Sequence, residues 1–110
     1  MADSTVVVML VTVPSDDEAR RIGRTLVDER LAACVNVVGP VRSIYHWDGA
    51  VQEDTEHLMV VKARRADVEA LAARVRALHP YDVPEVIALD VVAGSAPYLD
   101  WVRSSTERRG

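Results

Sequence analysis

Residues 33–62 constrain this chain more than any other stretch. They read as two long extended arms, 33–47 and 50–62, joined by Asp48-Gly49. A two-residue hairpin loop requires positive φ, which Gly supplies without steric cost. Each arm exceeds the usual strand of about 5–6 residues. At about 3.3 Å per residue, arms of this length reach past the body of a small domain. A bare hairpin of that kind exposes unpaired edges, so the sequence predicts pairing with other chains. Gly39-Pro40 cannot hold a regular ladder and predicts a bulge or bend in the first arm. Beyond it, Val41, Ser43, Tyr45 and Trp47 share one face, with Arg42, Ile44 and His46 on the other. With the turn at Asp48-Gly49, Trp47 opposes Ala50 and His46 opposes Val51, so His46 and His57 are not expected to form a paired site.

The flanking chain alternates strand and helix. Residues 5–13 are continuously apolar, as in a central strand covered on both sides, and Pro14 closes them. Ser15 caps a helix whose first turn carries Asp16, Asp17 and Glu18 against the positive end of the dipole. Ala19, Ile22 and Leu26 form its inner stripe, extended by Val27 or the stem of Arg30, and it runs to about Arg30. A second helix is predicted over 66–78, with Val68, Leu71, Val75 and Leu78 spaced by 3, 4 and 3. Pro80 stops it and pushes His79 out of the helical region. Residues 85–92 form a fourth strand. Ser95 then caps a short last helix that accepts Pro97 in its first turn and is anchored by Tyr98, Leu99, Trp101 and Val102. Residues 104–110 are polar and expected to fray.

The order β-α-β-β-α-β, followed by a helix, predicts an α+β fold: a ferredoxin-like split βαβ with a long protruding hairpin. One domain over 1–110 is expected, with its core at about 6–102. Two helices cover only one face of such a sheet, and the other face calls for a partner, most simply another copy.

A net charge of −4 with no basic cluster argues against nucleic acid. The apolar run near the start is too short to span a membrane, and the acid preceding it does not suit a signal peptide. One cysteine suits a reducing compartment, and the cytoplasm is the expected location.

Several stretches carry a family resemblance. These are Leu31-Ala-Ala-Cys34-Val-Asn36, Ser43-Ile-Tyr45-His-Trp47-Asp-Gly49, Glu56-His-Leu-Met-Val-Val-Lys62, His79-Pro80-Tyr81-Asp82-Val83-Pro84-Glu85-Val86-Ile87 and Tyr98-Leu-Asp-Trp101. With Pro14 they resemble the CutA divalent-cation tolerance proteins over nearly the whole length. The resemblance implies a ferredoxin-like subunit, a tight homotrimer built by the hairpins, and a link to tolerance of copper and other divalent cations. Some members are described as binding copper through a first-strand Cys and a His-His pair before Pro-Tyr. Here those positions hold Val11, Leu78 and His79, so only His79 matches.

The candidate site residues keep two readings each. Cys34, the single thiol, reads first as a small buried hydrophobe and second as a metal ligand or nucleophile. His79 either ends its helix or contacts metal or ligand, with Glu56 and Glu85 as candidate oxygen donors. Tyr81 and Glu85 sit in a loop stiffened by Pro80 and Pro84, suited to a ligand cleft or to a trimer contact. Lys62 either pairs with a Glu or faces solvent, and is the first candidate contact for an anionic ligand in such a cleft. Tyr45 and Trp47 read as interface anchors rather than a cofactor box.

No phosphate loop, Cys-x-x-Cys, His-Glu-x-x-His or Gly-x-Ser-x-Gly occurs, and no cofactor is demanded. The leading expectation is therefore a non-enzymatic CutA-like homotrimer, binding a divalent metal or a small ligand at subunit clefts. A trimeric scaffold or signalling module is the alternative. A small enzyme using Cys34 as nucleophile and His79 as base is the third reading.

Overall fold

The computed structural model describes residues 5–108. Its central strand is β1 (Val6–Val13), in which Val7, Met9, Val11 and Val13 are all but fully buried. β1 lies antiparallel between β3 (Ala50–Arg64) and β4 (Val86–Asp90). β2 (Cys34–Trp47) pairs with β3 on its far side, giving the antiparallel order β2-β3-β1-β4. This is the ferredoxin-like arrangement that the element order predicts.

Two helices cover one face. In α1 (Asp16–Asp28) the Ser15 hydroxyl caps the Glu18 amide at 3.2 Å. Glu18 does not close a reciprocal capping box; its carboxylate pairs with Arg21 at 2.5 Å. Ala19, Ile22, Gly23 and Leu26 face inward, whereas Val27 is 41% exposed. Gly23 belongs to the stripe because a Cβ there would sit 3.3 Å from Val35, so helix and sheet approach closely at this point. A 3-10 turn (Arg65–Asp67) precedes α2 (Val68–Leu78), which buries Leu71 and Val75. These residues close a core on Met9, Val11, Met59 and Val61.

α3 (Ala96–Ser105) lies at one end of the other face, where Leu99 and Val102 pack on Val6 and Ala33. Tyr98 and Trp101, expected as anchors, stay 43% and 45% exposed. The rest of that face is uncovered: Val38, Ile87 and Leu89 are each about half exposed on a sheet with no second layer.

The hairpin turn has φ 53° at Asp48 and 76° at Gly49, both positive as a tight primed turn requires. Trp47 opposes Ala50 and His46 opposes Val51. The expected irregularity falls between Val38 and Val41, where the register shifts and the Gly39-Pro40 peptide is cis. Long arms stretch the molecule to 44 Å along one axis, against 22 Å along the shortest.

Several boundaries differ from the sequence reading: α1 ends at Asp28 rather than about Arg30, and the 3-10 turn takes the first residues of the helix predicted over 66–78. β4 is shorter than 85–92, because Glu85 remains in the proline loop and pairing with β1 ends at Asp90. Residues 104–108 are docked rather than frayed. Thr106 is fully buried with its hydroxyl on the Val102 carbonyl at 2.8 Å, and the Arg108 guanidinium grips Asp67 at 2.6 and 3.1 Å. The remainder of that tail, 109–110, lies outside the described residues.

Candidate functional site, a cleft under the hairpin

The end of α2 sets the site. Because Pro80 follows, His79 takes an extended backbone (φ −80°, ψ 140°) instead of continuing the helix. Its ring turns inward and is only 8% exposed. Nε2 lies 2.7 Å from the Thr12 carbonyl oxygen, and Nδ1 accepts the Tyr81 backbone N–H at 3.0 Å. The Tyr81 ring packs on the imidazole with centroids 4.8 Å apart. Tyr81 then reaches the hairpin, where its hydroxyl donates to Glu56 Oε2 at 3.0 Å. Glu56 is 7% exposed, on the same face of β3 as Leu58 and Val60 and therefore on the helix-free side of the sheet.

Between the 80–85 loop and the half of the hairpin nearer its turn lies a cleft of about 730 Å³. Thr12, Tyr45, Trp47, Glu56, Tyr81 and Glu85 are among its walls. Burial, followed by the hydrogen bond and charge of Glu56, pushes the Tyr81 phenol up to about 12. The Tyr45 hydroxyl donates to Asp54, and that bond raises the Tyr45 phenol as well. The cleft thus combines aromatic walls with a nearly buried carboxylate. Such a lining suits a small molecule with an apolar body and a cationic or hydrogen-bond-donating group, which ring faces and carboxylate both favour.

Of the residues singled out from sequence for a cleft, Tyr81 and Glu85 meet here together with Glu56. Lys62 does not. It pairs in register with Val8, four residues along β1 from Thr12, or about 13 Å. Its ammonium neither pairs with a Glu nor stands free: it bonds the Asn36 side-chain oxygen and lies 3.8 Å from Cys34 Sγ. Cys34 is half-buried beside it, so Cys34 and His79 of one chain are far outside the hydrogen-bond reach that a nucleophile and its base need. Tyr45 and Trp47, read as interface anchors, also line the cleft. The shared face of Val41, Ser43, Tyr45 and Trp47 was the signal for this. Thr12 carried no such signal, because its part is played by a backbone carbonyl.

The candidate metal donors do not assemble. Among the described residues, no three His, Cys, Asp or Glu side chains lie close enough to hold one ion. Val11 is fully buried, Leu78 packs on the core, and both His79 nitrogens are engaged with backbone groups. A copper site made from the first strand and the His79 region does not fit this chain.

The profile of the CutA1 divalent ion tolerance protein family matches residues 7–105. The chain belongs to the CutA1 family. It is 52% identical over 99 residues to the divalent-cation tolerance protein CutA of Thermus thermophilus, covering 90% of this chain and 96% of that protein. It is 50% identical over 97 residues to human protein CutA, spanning 88% of this chain but only 54% of the human protein. Among solved structures, CutA1 from Oryza sativa superposes with a TM-score of 0.92 at 42% identity, over 97% of this chain and all of that one. The CutA1 fold is therefore shared closely, including the β2–β3 hairpin. Relatives differ in address: an Arabidopsis CutA is named chloroplastic, and an Archaeoglobus structure is described as periplasmic. Among the described residues here, no helix is long and apolar enough to cross a membrane.

Proposed function

We propose that this CutA1 protein is a non-enzymatic homotrimer that senses or carries a small organic ligand in the cleft under each hairpin. Its connection to divalent-ion tolerance would run through that ligand rather than through a metal held by His79. The observation that carries the reading is Glu56: a residue 7% exposed at the wall of a cleft of about 730 Å³, whose carboxylate accepts one hydrogen bond among the described residues, from Tyr81. A buried carboxylate served by one neutral donor favours a ligand that brings another. The trimer comes from the family resemblance. It is supported by the uncovered apolar face and by Ile44, Trp47 and Val51, 60–65% exposed along the arms. A reducing location such as the cytoplasm suits the single free thiol.

The test is a thermal-shift screen of small amines, polyols and carboxylic acids on the size-checked oligomer, followed by calorimetry on Glu56→Gln. Amines or polyols should bind saturably, once per chain, and Glu56→Gln should weaken them roughly tenfold or more. If only acids bind, or if Glu56→Gln binds equally well, the cleft assignment fails.

A further inference from the structure

The His79 ring is bonded in a way that permits one protonation state only. A backbone N–H is solely a donor, so Nδ1, which receives the Tyr81 amide, carries no proton. A carbonyl oxygen is solely an acceptor, so Nε2, 2.7 Å from the Thr12 oxygen, must carry one. We propose that His79 is a neutral, Nε2-protonated positioning residue that latches the 80–85 loop to β1 and so holds Tyr81 against Glu56, and that it is not a metal ligand in this chain.

Geometry makes the two roles exclusive. A metal ion needs an imidazole lone pair, and the only one, on Nδ1, is occupied by the Tyr81 amide. Ligation there would release that amide and leave it unpaired, while Nε2 becomes a ligand only by giving up its proton and the Thr12 bond. Among the described residues no three His, Cys, Asp or Glu side chains group to hold an ion there. The neighbouring positions Val11 and Leu78 are apolar and packed in the core.

This inference concerns the ligand-free protein, so it stands or falls apart from any ligand of the cleft. The test is a long-range ¹H–¹⁵N correlation spectrum of the His79 ring in the native oligomer, before and after stoichiometric Zn²⁺. The expected pattern is a neutral ring protonated at Nε2, unchanged by zinc, with the Tyr81 amide resonance unmoved. A ring protonated at Nδ1, or His79 nitrogens and the Tyr81 amide shifting together at one zinc per chain, would overturn it.

Variants separate a latch from general packing. His79→Asn keeps a short acceptor for the Tyr81 amide; His79→Ala keeps nothing. Tyr81 amide exchange should speed up roughly tenfold in His79→Ala and much less in His79→Asn. Equal exchange in both variants would reduce His79 to filler. If neither variant folds, the wild-type spectrum still decides.

Discussion

Tyr81 shows how one residue ties the cleft to stability. Its phenol is held up to about 12, first by burial and then by Glu56. The folded chain therefore keeps that proton more tightly than the unfolded chain, whose tyrosine titrates near 10. The resulting stabilisation is fully present below about pH 10 and is lost as pH rises toward 12. Two pH units correspond to about 2.7 kcal/mol. Tyr81 is 39% exposed, however, so solvent screening leaves something on the order of 1 kcal/mol. Urea unfolding of the wild type between pH 9 and 12 (roughly the span of these two values) should show that decline, and Tyr81→Phe should flatten it. Glu56→Gln should bring the Tyr81 step in a phenolate absorbance titration back toward its ordinary range; a step that stays put would mean that Glu56 does not govern it. Part of this site was legible in the residues themselves. Pro80 and Pro84 announced a stiff loop carrying Tyr81 and Glu85, and Pro80 dictated the backbone of His79. Sequence did not disclose the pairing of Tyr81 with Glu56, since residues so far apart in sequence meet only through sheet register. Lys62, expected at a cleft between subunits, stands opposite Val8 and away from this cleft within one chain.

At the scale of elements, the arms, the turn and both amphipathic helices followed from periodicity and punctuation, because those signals are local. What escaped were contacts made by polar side chains at long range. The C-terminal segment looked soluble and loose, yet Arg108 and Arg64 both hold Asp67, which is 5% exposed, and Arg64 also bonds the Thr106 carbonyl at 3.1 Å. The Arg108 guanidinium, above all, keeps the Asp67 carboxyl below the usual range. The folded chain thus binds that proton less tightly, and the stabilisation is present above the ordinary Asp range and fades as pH falls through the lowered value. Arg108→Ala should cost about 1–2 kcal/mol at neutral pH and speed proteolysis after residue 100. The same loss at pH 2 as at pH 7 would exclude the ion pair as its source. The irregularity in β2 offers a second check. A Cβ on Gly39 would fall 2.4 Å from the His57 ring, so this position accepts no side chain unless the ring moves. Gly39→Ala should destabilise by about 1–3 kcal/mol through overpacking. The double variant Gly39→Ala/His57→Ala should recover much of that, because the obstacle has gone; no recovery would place the cost in the backbone instead.

For the whole molecule, the decisive quantity is apolar surface that one chain cannot cover. α1 and α2 close one side of the sheet and α3 only an end of the other, leaving Ile87 and Leu89 on β4 48% and 51% exposed. They are opposite Leu10 and Val8 across the pairing with β1, so the patch is continuous with the middle of the sheet. A stable monomer rarely leaves such a patch open. β2 and β4 are the two edge strands, and unguarded edges favour strand addition. On the trimer reading, the native protein should sediment at three times its 12.1 kDa chain mass at micromolar concentration. The double variant Ile87→Lys/Leu89→Glu should sediment as a monomer. These side chains lie on the face away from the α1 and α2 core, so the variant should keep native far-ultraviolet circular dichroism while losing much of its thermal stability, because assembly stabilises the folded chain by mass action. A wild type that remains monomeric would remove the assembly outright. A variant that remains trimeric would shift the contact from the open face to the arms, where Trp47→Ala becomes the informative substitution: Trp47 lines the cleft, so a loss of assembly and of cleft binding together would mean that the cleft is completed between subunits.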